Sequence, residues 1–490
     1  MISELTKSEA AKNYESQMKE WLEYEKAAIE LISVIGHLWF DKSVELIIFR
    51  NQLVDRSTSE ILNLHLYAKN IVKQPINIID TMELAREISL LNLAPARIDI
   101  GRLGAEWLAE KGKYKTKAGF IGDKLKGFIG QDKRTLVPKD VVLYGFGRIG
   151  RLLTRELISQ AGKGEQLRIR AIVTRNNSET DIRKRAELLR ADSVHGPFPG
   201  TVIEDYENKA LIVNGHTIHM IGASDPAKID YTAFGIDDAL LIDNTGATRE
   251  REGLAKHLES KGVGKVLLTA PGKGDIPNIV FGINQNKYKP EENIFSSASC
   301  TTNAIVPVLA VIDRLLGIEG GHIETIHSYT NDQNLLDNYH KKFRRGRSAA
   351  VNMVITETGA DKAVAKVLPH LEGKLTGNAV RVPTPDVSLA ILSLTVKKET
   401  SRDDVNEIMR DAALKGDLIE QIQYSYSQEL VSTDCVGNPC ASIFDSPATI
   451  VAKDKKHIVL YVWYDNEYGY SRQVIRFAKH IADVIRLTYY

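Results

Sequence analysis

Hydrophobic periodicity changes character twice along the chain. Over residues 1 to about 135 apolar positions recur at helical spacing. Glu9 to Leu31 is rich in Ala, Glu, Lys and Leu, and Ser57 to Asn70 carries Ile61, Leu62, Leu64 and Leu66 behind a Ser-Thr-Ser capping signal. Thr81 to Leu91 and Ile100 to Lys111 look similar, separated by breaks at Pro75 and Pro95. These spacings predict a mostly helical N-terminal extension. From Val137 short β-branched runs such as Val141 to Tyr144 and Arg168 to Val173 alternate with helical stretches, the pattern of a parallel α/β sheet. Further strand signals at Ala239 to Ile242 and Lys265 to Leu268 end in small-residue loops, one holding Thr245 and Gly246, the other Thr269. Such loops, at the carboxyl ends of parallel strands, are where ligands are contacted. A third regime follows residue 300: an apolar helix ending near Gly317, then a strand over Gly321 to Thr330. The closing helix, Tyr470 to Leu487, has Val474, Phe477, Ala478, Ile481 and Ile485 on one face.

The junction between the second and third regimes carries the candidate nucleophile. In Ser296-Ser-Ala-Ser-Cys300-Thr-Thr-Asn303 five small hydroxyl residues and an Asn surround one cysteine at a predicted helix start. The free amides and dipole of that first turn favour a thiolate, the nucleophilic form. In the strand that follows, Ile323, Thr325 and His327 share one face. His327 thus becomes a candidate base and acid for Cys300.

Gly145-Phe-Gly147-Arg-Ile-Gly150 lies between a strand and a helix in a unit of about 30 residues, the arrangement of a dinucleotide-binding turn. Gly145 allows the tight turn, Gly147 the approach of a pyrophosphate, and Gly150 the packing of helix on strand. The next strand ends in Thr174-Arg175-Asn176-Asn177, without the carboxylate that usually binds the ribose 2′-hydroxyl of NAD. Arg175 offers a 2′-phosphate a planar fork, so NADP is expected to be accepted and preferred over NAD.

Composition narrows the picture. The 490 residues suggest about three units. A net charge of +1, from 64 basic and 63 acidic residues, argues against a protein that wraps nucleic acid. Eight basic residues between Lys111 and Arg134, with Tyr114, Phe120 and Phe128 among them, read as a solvated linker, with an anion-binding surface as the alternative. Three cysteines, Cys300, Cys435 and Cys440, form no disulfide framework, and the last two read as packed thiols rather than zinc ligands. No metal site is expected. The first seven residues lack an apolar leader and no apolar run approaches the ~18 residues of a membrane span, which points to a cytoplasmic protein.

Taken together, the motifs from about residue 137 onward resemble phosphorylating glyceraldehyde-3-phosphate dehydrogenase. The resemblance rests on Gly145 to Arg151, Asp192-Ser-Val-His-Gly196, Ser297 to Asn303, His327 to Gln333, Thr358-Gly-Ala360, Lys374 to Pro383 and Trp463 to Tyr470, which appear in family order. It implies a Rossmann-type cofactor domain over 136–300, an α+β catalytic domain over 301–469 and a helix over 470–490 that returns to the cofactor domain. Residues 1–135 lie outside it.

By resemblance Cys300 attacks the aldehyde and His327 takes the proton. Thr330 and Arg381 match the site for the substrate's phosphate. Ser299, Thr301, Gly359 and Arg347, with Thr358 nearby, match the site for inorganic phosphate. Asn466 matches the residue that holds the nicotinamide carboxamide, Tyr470 packs close by, and Arg148, Ile149 and Thr245 match other cofactor contacts. The reaction implied is phosphorylating oxidation of glyceraldehyde 3-phosphate to 1,3-bisphosphoglycerate, or its reverse, within glycolysis or gluconeogenesis, by a homotetramer. Asn338-Tyr339 stands where NAD-selective relatives tend to have Leu-Pro, again favouring NADP. Two other readings remain at this level: oxidation of erythrose 4-phosphate by the same chemistry, and a regulatory or binding protein that uses its extension to recruit a partner.

Overall fold

The computed structural model describes residues 7–490, with side chains from Asn13 onward except that of Asn70. The reading of the first residues as no secretory leader falls at 1–6, outside the described ones. Two compact units emerge: one of residues up to 137 together with 162–165 and 485–490, the other of 138–161 and 166–484.

The first unit is mostly helical, with a sheet at its centre that the periodicity hid. Its helices are Lys7–Lys42, Thr58–Val72, Ile78–Leu90, Ile100–Glu110 and Lys117–Lys124. Ser57 caps the second in a reciprocal box with Glu60. Strands Val44–Ile48 and Ala96–Asp99 pair in parallel, flanked by Asn51–Gln52 on one side and Leu487–Tyr489 on the other. Val44–Ile48 is buried at every position, so it shows no alternation. Its one charge, Glu45, lies 3.3 Å from Arg97 and 3.8 Å from Arg486, and Arg486 stacks over Trp39 at 4.6 Å.

Two expectations are corrected here. The closing helix spans Tyr468–Ile481 and stops short of Leu487; Leu487 and Tyr489 instead pack as strand residues into the core of the first unit. The basic stretch from Lys111 is no solvated linker. Phe120 is fully buried, edge-on to Trp107 and Tyr114. Lys117 pairs with Asp80 and Glu83, while Lys124 lies 3.1 Å from Glu106 and 2.7 Å from Glu110.

The second unit holds two sheets. In the first, six parallel strands run in the order Ile294–Ser296, Val263–Leu268, Ala239–Asp243, Lys139–Tyr144, Leu167–Thr174, His216–Gly222, with an antiparallel pair, Ala210–Val213 and Val202–Asp205, at the edge. The order reverses direction at Lys139–Tyr144, which makes the loops at its carboxyl end a ligand crevice. Helix Tyr468–Ile481 packs on this layer, Phe477 meeting Phe295 at 5.7 Å.

The second sheet follows the order Val354–Thr356, Leu375–Val382, Ile318–Ser328, Ser388–Val396, His457–Tyr464, Ser442–Asp445, Ile422–Ser425. Helices Cys300–Leu316, Ala360–Val367 and Arg402–Leu414 contribute to its apolar core. Among the described residues no helix is long and apolar enough to cross a membrane.

Truncation after Arg486 removes a sheet partner of Ala96–Asp99 and two half-buried apolar side chains. We expect the first unit to lose about 2 kcal/mol. Hydrogen exchange of the Ala96–Asp99 amides should accelerate; unchanged protection would show that the terminal strand carries no stability.

Candidate active site

Strand Ile294–Ser296 reaches helix Cys300–Leu316 through a backbone turn the sequence did not announce. Ala298 adopts φ 54°, a left-handed conformation unfavourable for a residue with a Cβ. The turn is held from both ends. Ser296 Oγ accepts from the Ala298 amide at 3.0 Å and donates to the Ala270 carbonyl at 2.7 Å. Asn303 reaches back, donating to the carbonyls of Ser297 and Ser299 at 2.8 and 2.9 Å. Ser299 is the N-cap, its Oγ accepting from the Thr302 amide at 3.0 Å. Cys300 therefore opens the helix.

Sheet register supplies the partners. Strand Ile318–Ser328 runs parallel to Leu375–Val382 with His327 opposite Arg381. His327 Nε2 lies 3.6 Å from Cys300 Sγ. On the far side of the ring, Nδ1 is 2.7 Å from the Ser328 carbonyl and 2.7 Å from Arg381 Nη1, which also donates to that carbonyl at 2.8 Å. A carbonyl requires the proton on Nδ1 and a guanidinium requires the lone pair there, so the two contacts favour opposite tautomers. Tyr464, fully buried, meets the Thr301 hydroxyl at 2.9 Å and stands edge-on to the His327 ring.

The electrostatics depart from the expectation of a standing thiolate. Burial pushes the Cys300 thiol up, outweighing the opposing pull of Arg381 and the amides of the first turn. Burial, and then the Arg381 charge, push His327 down to about 3. The resting pair is thus a neutral thiol beside a neutral imidazole.

The remaining anion-site candidates divide. The Thr330 hydroxyl donates to Asp332, which also pairs with Arg345. Both Asp332 and Arg345 act on His327 through their charges. Arg347 forms an exposed pair with Asp337 at 3.0 Å. Thr358 lines a basic cleft of about 590 Å³ with Arg344, Arg345 and Asn378, and Gly359 caps helix Ala360–Val367.

The cofactor candidates surround the Gly145–Gly150 turn. Gly145 has φ 99°, and a Cβ there would lie 2.9 Å from Thr245. A Cβ on Gly150 would lie 2.6 Å from the Gly145 carbonyl, whereas the space over Gly147 is open. Gly147 caps helix Arg148–Ser159 with no side-chain hydrogen bond. Its first-turn amides therefore suit a pyrophosphate. Ile149 packs on the apolar core of the layer. Thr245 is fixed by Asp243 Oδ1, and the Thr269 hydroxyl donates to the Asp243 carbonyl at 3.3 Å. Thr174 is buried, its hydroxyl donating to the Asn176 carbonyl at 2.7 Å, while Arg175 lines a pocket of about 710 Å³ with Ser178 and Lys209. Asn466 Oδ1 accepts from the hydroxyls of Ser328 and Ser388 at 2.8 and 2.7 Å, and the Tyr470 hydroxyl donates to the Ala298 carbonyl at 3.0 Å.

Arg148 faces the protein rather than the crevice. It grips Asp192 through two bonds of 3.1 Å and also donates to both oxygens of Glu467. His195, Asp386 and Glu467 lie close enough together to share a cation. Burial, and then the nearby Asp465 and Glu467, push the Asp386 carboxyl up, and Arg148 already occupies Glu467. Sequence reasoning missed Ala298, Tyr464, Ser328, Ser388, Asp332 and Arg345. The hydroxyl-rich run before Cys300 and the Asp at 332 two residues after Thr330 were the signals available.

Comparison with known proteins agrees with this arrangement. The sequence model of the glyceraldehyde 3-phosphate dehydrogenase NAD binding domain matches residues 139–251, and that of the C-terminal domain matches 299–466. A glyceraldehyde-3-phosphate dehydrogenase-like protein of Pseudomonas aeruginosa is 50% identical over 93% of this chain and 98% of its own length. Glyceraldehyde-3-phosphate dehydrogenase 2 of Bacillus subtilis is 39% identical over 70% of the chain and 96% of its own. The chloroplastic glyceraldehyde-3-phosphate dehydrogenase A of Zea mays is 42% identical over 69% of the chain and 81% of its own. With a cysteine and a histidine facing each other beside a dinucleotide turn, and with this likeness along its length, the chain belongs to the glyceraldehyde 3-phosphate dehydrogenase family of NAD-dependent oxidoreductases.

Proposed function

We propose that the protein catalyses the phosphorylating oxidation of glyceraldehyde 3-phosphate to 1,3-bisphosphoglycerate, and its reverse, with NADP as preferred cofactor. The observation that carries this reading is Cys300 Sγ at 3.6 Å from His327 Nε2, with Arg381 in register behind the ring. With its proton on Nδ1, held toward Ser328, His327 presents the Nε2 lone pair to the thiol. It takes the thiol proton as sulfur adds to the aldehyde, passes it to the carbonyl oxygen to form the thiohemiacetal hydroxyl, and takes it back as hydride leaves. Bound nicotinamide supplies the hydride acceptor. The Cys300 amide and His327 donate to the developing oxyanion, and inorganic phosphate displaces the thioester, releasing Cys300.

Thr330 and Arg381 hold the substrate phosphate. Such an anion also cancels the charge that depresses His327, so substrate binding makes the base more basic. Ser299, Thr301, Thr358, Gly359 and Arg347 receive the attacking phosphate. Arg347 must release Asp337 to do so, at little cost for a pair so exposed.

The NADP reading is supported by Arg175 and Lys209 in one pocket, although Glu179 and Asp181 line it too. A homotetramer is supported by an apolar surface: Leu335, Leu336, Tyr339, Phe343, Val351 and Met353 are each at least 74% exposed along one loop. We also propose a cytoplasmic role in glycolysis or gluconeogenesis, the setting the triose substrate favours.

Initial rates with NAD and with NADP, with and without inorganic phosphate, test the proposal. Phosphate-dependent turnover favouring NADP is expected, and Cys300→Ser should lower kcat by about three orders of magnitude or more. A strong preference for NAD would defeat the role given to Arg175. Activity with erythrose 4-phosphate alone would defeat the triose assignment.

The pH profile separates the two groups. Because the thiol is raised, the free-enzyme kcat/KM should climb with pH into the alkaline range, without a His327 inflection near 6.5. Stability has the complementary sign. His327 is neutral when folded and titrates near 6.5 when unfolded, so its contribution is full above that pH and fades as pH falls toward 3. Acid titration monitored by circular dichroism should show a shallower slope in His327→Gln.

A further inference from the structure

We propose that helix Lys7–Lys42 is a self-association element that pairs antiparallel with the same helix of a second copy of this chain. The helix has two apolar faces. One, formed by Ala28, Leu31, Ile35, Leu38 and Trp39, is buried in the core of the N-terminal unit. The other is bare: Tyr14, Met18, Trp21, Leu22 and Ile29 are 65, 40, 43, 47 and 60% exposed. At 100° per residue these five fall within a single stripe about 100° wide, which adjoins the buried face along the line of Trp21 and Trp39. Residues 13–23 have no buried position at all. Eleven consecutive helical residues without a buried position are marginal by themselves, and large apolar side chains grouped this way mark an interaction surface.

Charge selects the occupant. Between residues 13 and 30 the helix carries five Glu and two Lys, an excess of three negative charges that an anionic lipid surface repels. Parallel pairing of two copies would set Lys19 beside Lys19 and Glu25 beside Glu25. An antiparallel pair with its two-fold axis between Trp21 and Leu22 separates both. Tyr14 then lies over Ile29 of the second copy and Trp21 meets Leu22. Glu15 comes within two positions of Lys26. Glu25, the one charge inside the stripe, already accepts a bond from the Trp21 indole at 3.1 Å. The five side chains offer roughly 500 Å² per copy, about 1,000 Å² for the pair, the lower bound of a specific interface. One patch facing itself across a two-fold closes the assembly without propagating.

The test uses the full chain and does not depend on the catalytic reading. Met18→Glu combined with Leu22→Glu places charge only on the bare stripe, so helix content by circular dichroism and the dehydrogenase rate should be unchanged. Sedimentation equilibrium should show the mass of the assembly halved; an unchanged mass overturns the proposal. Orientation is read from oxidative cross-linking. Leu22→Cys, beside the axis, should link to itself, whereas Tyr14→Cys, about 22 Å from its counterpart, should not. Self-linking of Tyr14→Cys overturns the antiparallel arrangement. Co-sedimentation with phosphatidylglycerol vesicles that is abolished by the double variant, with no change in mass, would assign the stripe to a membrane instead.

Discussion

The left-handed turn at Ala298 is the constraint on which the site depends. A non-glycine residue in that conformation costs on the order of 1–3 kcal/mol and persists only where its surroundings over-determine it. Here they do: Ser296 binds the Ala298 amide, Asn303 binds the carbonyls on both sides, and Tyr470 binds the Ala298 carbonyl itself. The sharp turn puts Cys300 at the first helical position with its sulfur toward the second sheet. Side chains of Ser, Asn and Tyr are thus spent on backbone geometry so that one cysteine can face one histidine.

What the pair can do is decided by competition between burial and local charge. The amides of the helix start and Arg381 both favour a thiolate, yet burial prevails. An imidazolium at His327 would add a positive charge beside Arg381 in a site with little solvent, and its affinity for a proton falls accordingly. A standing thiolate–imidazolium pair is therefore unfavourable in the empty site. The reactive charge arises when a ligand compensates Arg381, which ties the chemistry to substrate binding.

Much of this was legible in the sequence because it depends on local rules. Small hydroxyls announced the helix start, glycines the dinucleotide turn, and a two-residue period put His327 on the inner face of its strand. The pairing of His327 with Arg381 was accessible only through resemblance, since register between strands about fifty residues apart leaves no periodic trace. Ala298 was invisible for another reason: nothing in an alanine signals positive φ. Arg148 lies at the first position of the helix after the glycine turn, and its fork is taken up by Asp192 and Glu467, two carboxylates remote in sequence, which leaves its backbone amide to face a cofactor.

The N-terminal unit shows the same limit more sharply. Val44–Ile48 is buried on both faces and Ala96–Asp99 is only four residues long, so neither carried a strand period between helices of clear periodicity. Its fourth strand comes from the other end of the chain. The whole of residues 138–484, apart from 162–165, is inserted between Val137 and the segment that completes this sheet. Closing a sheet across such a separation is entropically costly and slow. The buried ion cluster of Glu45, Arg97 and Arg486 offsets part of that cost by specifying which segment fills the edge: an apolar strand without Arg486 would leave Glu45 with one cation fewer in the core. The terminal strand is selected by charge as well as by shape, and the unit reaches its full sheet only when the last residues of the chain are in place.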